Sequence, residues 1–411
     1  MASIQSAIEQ VNGFRVAGVH AGLKQNDALD FALFTSDHDC AVGALFTTNT
    51  VKAAPVLVDM ETVAHSARHI RAVAVNTRSA NACTGEIGLA NARQTQQLVA
   101  AQIGCQPEQV LVLSTGVIGT HLPMDAIKRG VQQAHAALGH DWQAAADAIR
   151  TTDTRPKLAA TTVQLSGGPV QIAGVAKGSG MIAPNMATML SVITTDAALP
   201  PEQAQGLLAV ANETTFNRIV VDGDTSTNDT VLLLANGASD ISIDGDSDRA
   251  AFLAGLEAVC RKLAQDIVRD GEGVTKFVTL HVLGADTQAD ARHIANTIAT
   301  SPLVKTAFFG EDANWGRIIA AAGRAGVPFD PDQAVLLVQA GESLEVAPQN
   351  GAVRLFDNGT PTDYAEQDAA AVMQHPSVVV RLNCRLGTGE AVIWTCDLSY
   401  DYVKINGDYR T

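Results

Sequence analysis

The sequence predicts an α/β fold, and three observations lead to that prediction. Along the 411 residues, short apolar and β-branched runs alternate with amphipathic stretches of helical length, a pattern typical of α/β proteins. Hydrophobic residues make up 46% of the chain but aromatic residues only 4%, so aliphatic side chains must build the core. The length is sufficient for two or three domains.

The first part of the chain is predicted to alternate strands with helices. Strands are predicted over Phe14–Ala21, Leu29–Thr35, Ala41–Thr47, Arg71–Val75 and Val110–Leu113. Helices are predicted over Ile87–Ile103, Pro123–Leu138 and Asp141–Ile149. A hairpin then follows, with strands Lys157–Leu165 and Val170–Ala176 on either side of a Gly-Gly-Pro turn.

The rest of the chain continues the alternation. Helices are predicted over Pro200–Glu213, Asp248–Arg269, Ala289–Thr300 and Ile318–Ala325. Strands are predicted over Met189–Thr195, Lys276–Leu283, Val304–Phe309, Val335–Gln339, Val378–Leu382 and Ala391–Cys396. The C-terminal segment Tyr402–Thr411 carries apolar residues, so we predict that it docks onto the fold although tails are often disordered.

Charge and cysteine placement argue against several functional classes. The net charge is −15 and no run of lysine and arginine occurs, which disfavours a nucleic-acid or membrane-surface partner. The six cysteines form no Cys-x-x-Cys pair, as in reduced cytosolic proteins. The N-terminus lacks the features of a secretory signal, and no apolar run reaches the ~18 residues of a membrane span. We therefore predict a cytoplasmic protein.

Neither a metal nor an organic cofactor is predicted. His65 and His69 have the spacing of two ligands on a helix, but Ser66 stands where the H-E-x-x-H motif needs glutamate. The segment Asp222–Asp229 combines carboxylates with hydroxyls that could ligate a cation. Its spacing matches no EF-hand loop, and a glycine–aspartate turn is the preferred interpretation.

Polar loops that follow predicted strands are the first candidate sites. Asn76–Gly85 and Ser114–Gly119 are two such loops, in a position that often carries function in α/β proteins and is as often a solvated turn. Gly116 permits close approach of another group, and backbone N–H groups exposed in such a turn can form an oxyanion hole. The hydroxyls of Thr151–Thr154 suit either a polar substrate or a capped turn.

The central stretch Lys177–Leu190 holds the candidate nucleophile. Two glycines and Pro184 interrupt regular structure there, and Thr188 then opens an apolar run that predicts a buried strand. A hydroxyl where a flexible turn meets a rigid strand is well placed for nucleophilic attack. A glycine-rich loop with an ordinary threonine is the alternative on local sequence alone.

Taken together, seven motifs resemble those of the ornithine acetyltransferase family, also called ArgJ or glutamate N-acetyltransferase. Besides Lys177–Leu190, which resembles the family's self-cleavage signature, they are Asn81–Gly85, Ser114–Gly119, Thr151–Thr154, Asp270–Lys276, Gly310–Gly316 and Asp408–Thr411. Several motifs in order along nearly the whole chain are far more specific than any one of them.

The resemblance implies a precursor that cuts its own chain between Ala187 and Thr188. The products would be an α fragment of residues 1–187 and a β fragment of residues 188–411, intertwined and assembled as two of each. The implied fold is a layered α-β-β-α sandwich with a smaller second α/β domain. Thr188 would become an N-terminal nucleophile whose own α-amine acts as the base, and an α-amine titrates near pH ~7.7–8.0.

The resemblance also implies the reaction. The acetyl group of N2-acetylornithine would pass to glutamate through an acetyl-threonine intermediate, with Thr115 and Gly116 stabilising the oxyanion. Acetyl-CoA is a further candidate acetyl donor. The substrate-binding positions implied by the motifs are Thr151, Lys177, Thr188, Glu272, Asn406 and Thr411. We expect Lys177 to pair with a substrate carboxylate and Glu272 to pair with the ornithine ammonium.

One loop departs from the family pattern. Where the family usually has glycine and asparagine, this chain has Arg78 and Ser79. If the glycine serves a positive φ, Arg78 is strained; alternatively, Arg78 alters the acceptor preference. Two other functions stay open: an N-terminal-threonine amidohydrolase or aminopeptidase of the same fold, and an uncleaved amino-acid-binding protein.

Overall fold

The computed structural model describes residues 4–183 and 189–408. The chain forms two compact units. The larger unit comprises Met1–Asn217 and Asp224–Ile267, and the smaller unit comprises Arg218–Gly223 and Val268–Thr411. Both units combine strands and helices, so the predicted α/β class with a smaller second unit is confirmed.

The larger unit is built on one sheet, which has eight strands among the described residues. The strands are β1 Phe14–Val19, β2 Phe31–Phe46, β3 Ile70–Asn76, β4 Val110–Ser114, β5 Lys157–Leu165, β6 Gly168–Lys177, β7 Leu190–Thr195 and β8 Thr230–Ala235. Their order is β4-β3-β2-β8-β7-β6-β5, with β1 paired to β2. The helices are α1 Ala54–Ser66, α2 Gly85–Ile103, α3 Met124–Ala136, α4 Trp142–Ala148, α5 Pro201–Thr214 and α6 Gly245–Arg269.

Strand β2 runs through a region where two strands were predicted, and both of its faces are buried. We predicted two strands here, but one strand of 16 residues runs through, with a register shift against β3 between Thr35 and Cys40. The exposed polar residues at that shift look like a turn in sequence, whereas a strand can carry them at an irregularity. On β2, Ala32 and Phe34 belong to one apolar cluster and Phe31 and Leu33 to another, so both faces of the strand are buried.

The smaller unit has its own sheet and helices. Its strands are β9 Phe277–Ala285, β10 Val335–Ala340, β11 Val353–Asp357, β12 Thr360–Pro361, β13 Ser377–Asn383 and β14 Gly389–Cys396, in the order β12-β11-β10-β13-β9-β14. Its helices are α7 Gln288–Ala299, α8 Pro302–Phe309, α9 Trp315–Gly323, α10 Glu366–Met373 and α11 Tyr400–Gly407. No helix in the described parts of the chain is long and apolar enough to cross a membrane.

Helix α8 corrects a prediction. The strand predicted over Val304–Phe309 is wrong, because Pro302–Phe309 is helical with the proline in its first turn. Val304, Ala307 and Phe308 are buried, which is the i, i+3, i+4 spacing of one helix face. A short apolar run alone does not distinguish a buried strand from a buried helix.

Strands from both sides of the predicted cleavage point are neighbours in the larger sheet. β6 lies before that point and β7 after it, and the two pair antiparallel from Ile172 opposite Thr195 to Lys177 opposite Leu190. β7 in turn pairs with β8. A cut between Ala187 and Thr188 would therefore leave this sheet continuous through hydrogen bonds. The division into fragments itself stays a prediction.

Candidate active site

The predicted site residues fall into three groups. Thr115, Gly116, Thr151 and Lys177 lie in the larger unit, and Glu272 and Asn406 lie in the smaller unit. Ala187, Thr188 and Thr411 lie outside the described residues. The structure thus shows how the surroundings of the predicted nucleophile are built rather than the nucleophile itself.

The two polar loops predicted as separate candidates are in direct contact. Thr115 N donates to Asn76 O over 3.0 Å, and Val117 N donates to Arg78 O over 3.1 Å. Gly116 has a φ of 133°, and a Cβ placed there would lie 2.3 Å from the carbonyl carbon of Arg78. Only glycine fits this turn, because the backbone of the neighbouring loop fills the space that a side chain needs.

Replacing Gly116 with alanine is therefore expected to damage the turn. The new methyl group must push the two loops apart, and we expect a loss of about 1–3 kcal/mol in the free energy of unfolding. If the Gly116 N–H stabilises an oxyanion, turnover should fall by ~10²–10³-fold as well. Denaturant unfolding and steady-state rates measure the two effects.

Gly119 in the same turn provides the control for this variant. Its φ is also positive, at 83°, but no atom lies within 4 Å of the place that a Cβ would take. Gly119→Ala therefore introduces backbone strain without a clash between the loops, and it should have little effect on turnover. Equal rate losses in the two variants would contradict the proposed role of Gly116.

Asn228 and Asp229 connect this turn to the chain around the predicted nucleophile. Asn228 Nδ2 donates to Ser114 O over 2.9 Å and to Ala80 O over 2.7 Å. The next residue, Asp229, accepts a 2.7 Å hydrogen bond from Met189 N on Oδ1. Met189 directly follows the predicted nucleophile in the chain. Two consecutive buried residues therefore link the turn after β4 to the residue after the predicted nucleophile.

Asp153 organises the segment that follows strand β6. Lys157 Nζ and Gly178 N both donate to Asp153 Oδ1, over 2.7 Å and 2.6 Å. Thr151 N donates to its Oδ2 over 3.1 Å. The side chains of Asp153 and Lys157 are 0% and 1% exposed, so this is a fully buried ion pair. Asp153 thereby connects the predicted substrate-binding residue Thr151 to the turn that follows Lys177.

The charge state of Asp153 follows from these contacts. Burial alone would raise the pKa of this carboxyl. The nearby Lys177 and Lys157 and the hydrogen bonds from Lys157 and Gly178 outweigh burial and hold the pKa below its usual value. Asp153 is therefore ionised at neutral pH and balances positive charge at the end of β6, where Lys177 is itself buried.

In the smaller unit, the structure brings two predicted substrate-binding residues together. Asn406 Nδ2 donates to Glu272 Oε2 over 2.8 Å. Helix α11 carries Asn406 and is held by Ser399 Oγ, which donates to Gly273 O over 2.6 Å, and by Tyr402 Oη, which donates to Asp222 Oδ2 over 3.2 Å. Helix α11 is therefore held by polar contacts, whereas its apolar residues Val403 and Ile405 stay exposed. The predicted docking through apolar residues is not seen in the described part of the segment.

The Asp222–Asp229 segment shows no metal site. No group of three or more histidine, cysteine, aspartate or glutamate side chains that could hold a metal occurs within residues 4–183 and 189–408. Asn228 and Asp229 instead bind backbone groups of other strands and loops. The hydroxyl-rich composition that suggested a cation site belongs to a turn that joins distant parts of the larger unit.

Comparison with known proteins identifies the family. The ArgJ family model matches residues 15–411. This chain belongs to the ArgJ family. The arginine biosynthesis bifunctional protein ArgJ of Geobacter sulfurreducens is 49% identical over 404 residues, which covers 98% of this chain and 100% of that protein. The protein of the same description from Symbiobacterium thermophilum is 46% identical and covers 97% of each chain. A crystal structure of the Bacillus halodurans protein is 38% identical, covers 54% of this chain and 99% of that chain, and has a TM-score of 0.49.

Sequence patterns did not single out three residues that matter in this ArgJ chain. Asp153 lies inside the Thr151–Thr154 motif, where the threonine hydroxyls were the predicted functional groups. Asn228 and Asp229 end a segment that was interpreted as a turn. Their position within or after polar, non-repetitive segments was the only signal. Their hydrogen bonds to Gly178, Met189, Ser114 and Ala80 span 25 to 148 residues, and no local pattern encodes such distant contacts.

Proposed function

We propose that this protein transfers the acetyl group of N2-acetylornithine to glutamate in arginine biosynthesis. The observation that carries the proposal is the link through Asn228 and Asp229, which ties the Ser114–Gly119 turn to Met189, the residue after Thr188. An oxyanion-stabilising turn and a nucleophile must be held together for acyl transfer. Membership of the ArgJ family and relatives described as arginine biosynthesis bifunctional proteins support the same reaction.

The chemistry proceeds in two acyl transfers. Self-cleavage frees the α-amine of Thr188, which takes the proton of the Thr188 hydroxyl as Oγ attacks the acetyl carbonyl of the donor. The tetrahedral oxyanion is stabilised by Thr115 and Gly116, ornithine leaves with the returned proton, and an acetyl ester remains on Oγ. The amine of glutamate then attacks this ester and releases N-acetylglutamate and the free hydroxyl.

The substrate contacts follow from charge. Lys177, which is buried, pairs with the α-carboxylate that both substrates carry. Glu272, which already accepts from Asn406, pairs with the δ-ammonium of the ornithine moiety. Thr151 and Thr411 are the remaining positions proposed to form hydrogen bonds with the substrate. These steps require no metal or organic cofactor.

An acetyl-transfer assay tests the proposal. The protein is incubated with N2-acetylornithine, with and without glutamate, and ornithine, N-acetylglutamate and free acetate are measured. Glutamate-dependent ornithine release with formation of N-acetylglutamate is the expected result. Acetate release that glutamate does not change would instead identify an amidohydrolase. A single full-length band on a denaturing gel of the active protein would support an uncleaved binding protein and contradict the proposal.

A second activity is proposed because the relatives are described as bifunctional. Acetyl-CoA would acetylate Thr188 in place of N2-acetylornithine, and the acetyl group would pass to glutamate as before. Incubation with acetyl-CoA and glutamate should then yield N-acetylglutamate.

We further propose that the enzyme works in the cytoplasm as two α and two β fragments. Light scattering on the native protein measures that assembly. The pairing of β6 with β7 across the cleavage point supports fragments that stay associated.

A further inference from the structure

Arg78 adopts a backbone conformation that arginine rarely takes. Its φ is 75°, in the left-handed region that costs a residue with a Cβ roughly 1–2 kcal/mol. The surroundings hold it there: Val117 N donates to Arg78 O over 3.1 Å, and Ser79 forms bridges with Thr115 and Val117. The conditional prediction that Arg78 is strained is therefore confirmed. Non-glycine residues held in such a conformation cluster at active sites and ligand clamps.

The side chain of Arg78 does not offset this strain with a stabilising contact. It is exposed, and within the described parts of the chain its guanidinium makes no hydrogen bond or ion pair. Arg385, another exposed arginine with a positive φ, behaves differently, because its guanidinium bonds to Asn358 and Asp357. An anionic ligand would give the Arg78 guanidinium a partner that the described residues do not provide.

Arg78 lies directly against the turn that is proposed to hold the oxyanion. A Cβ at Gly116 would be 2.7 Å from Arg78 Cα and 2.3 Å from its carbonyl carbon. A guanidinium side chain that starts beside this turn is long enough to contact an anionic group of a substrate bound there. Guanidinium binds carboxylates through two parallel hydrogen bonds, which makes arginine the residue best suited to such a group.

The two substrates of the proposed reaction differ in charge. The donor, N2-acetylornithine, carries one carboxylate and one ammonium, whereas the acceptor, glutamate, carries two carboxylates. Lys177 is the one cation among the site residues taken from the motifs, and it pairs with a single carboxylate. We propose that Arg78 binds the side-chain carboxylate of the acyl acceptor and so selects dicarboxylic amino acids. This inference rests on the proposed function.

Measuring the two half-reactions separately tests the inference. In Arg78→Gly, release of ornithine from N2-acetylornithine during formation of the acetyl-enzyme should keep its wild-type rate. The kcat/KM for glutamate should fall about 10- to 100-fold, the effect of a lost charged hydrogen-bonding pair. With glutamine, which lacks the carboxylate, wild type and variant should have equal kcat/KM. Arg78→Lys keeps the charge and should retain most of the preference for glutamate.

The controls distinguish a failure of this inference from a failure of the proposed function. Arg78→Gly relieves the backbone strain, so the variant is expected to fold, and a thermal unfolding midpoint at or above the wild-type value verifies this. Arg385→Gly removes the matched exposed arginine and should leave the glutamate-to-glutamine ratio unchanged. An unchanged ratio in Arg78→Gly, or equal losses with glutamate and glutamine, would overturn the inference while the proposed function stands. A wild-type protein that forms no acetyl-enzyme from N2-acetylornithine would overturn both.

Discussion

Alanine at position 188 is expected to leave the protein as one uncleaved chain without acetyl-transfer activity. The Thr188 hydroxyl is the proposed nucleophile, and the free α-amine that serves as its base exists only after cleavage. Loss of both groups should lower turnover by at least ~10³-fold, as for nucleophiles of other acyl-transfer enzymes. A denaturing gel shows the processing, and the glutamate-dependent release of ornithine shows the turnover.

Serine at the same position is the matched control. Thr188→Ser keeps a hydroxyl and, after cleavage, an α-amine, so we expect two fragments and measurable turnover. Complete processing of Thr188→Ala would refute the role of this residue in self-cleavage. Because β6 and β7 pair across the cleavage point, the uncleaved variant is expected to fold, and its thermal unfolding midpoint verifies that the lost activity is chemical.

Removal of the buried carboxylate at position 153 is expected to have the largest effect on stability. Asp153→Ala removes the carboxylate that pairs with buried Lys157, and the loss of one member of a buried ion pair typically costs about 3–5 kcal/mol. The Gly178 and Thr151 N–H groups lose their acceptor at the same time. The urea concentration at which the larger unit unfolds measures the loss. Turnover should fall as well, because the turn after Lys177 is no longer anchored.

A double variant distinguishes stability from positioning. Asp153→Leu combined with Lys157→Met replaces the ion pair by apolar side chains of similar size, a change that often restores stability. We expect this protein to regain only part of the stability lost in Asp153→Ala, since the Gly178 and Thr151 N–H groups still lack their acceptor. Its KM for N2-acetylornithine should stay raised, because the turn beside Lys177 is still unanchored. Wild-type kinetics in the double variant would show that Asp153 has a structural role only.

The stability that Asp153 provides should depend on pH in a defined direction. Its pKa in the folded protein lies below the value of 3.8 for an unperturbed aspartate. A carboxyl whose pKa is lowered on folding stabilises the protein above its unfolded-state pKa and ceases to do so as the pH falls toward the folded-state value. The stability difference between wild type and Asp153→Asn should therefore be constant at neutral pH and shrink below about pH 4. A difference that grows on acidification would contradict the ionised state of Asp153.

Patterns in the sequence predicted most of the secondary structure but did not predict β8, β11, β12, α1, α10 and α11. Two further errors have a clear physical cause. The hairpin formed by β5 and β6 follows from alternation around Ser166–Pro169, which is local information. Val304–Phe309 was mistaken for a strand because a short apolar run fits either element, and packing against the sheet of the smaller unit decides the outcome. β2 was divided in two because exposed polar residues at a register shift resemble a turn.

Some residues of the candidate site could be recognised from the sequence, and others could not. The motifs Lys177–Leu190 and Ser114–Gly119 could be recognised in the chain because they occur with other motifs in the order of a known family. On local sequence alone, each was equally compatible with an ordinary loop. Asp153, Asn228 and Asp229 could not be recognised in this way. Each of them forms hydrogen bonds with backbone groups elsewhere in the larger unit. A backbone N–H or carbonyl is common to nearly every residue, so such contacts leave no sequence signature.

By itself, then, the sequence determined the α/β class, the family and the chemistry proposed for Thr188. Only the tertiary structure decided which loops meet, that Gly116 packs on Arg78, and that Arg78 is held there in a strained backbone conformation. The physical reason is distance along the chain. Propensity and periodicity act over a few residues, whereas close packing of two loops is decided by the sheet that holds their strands side by side.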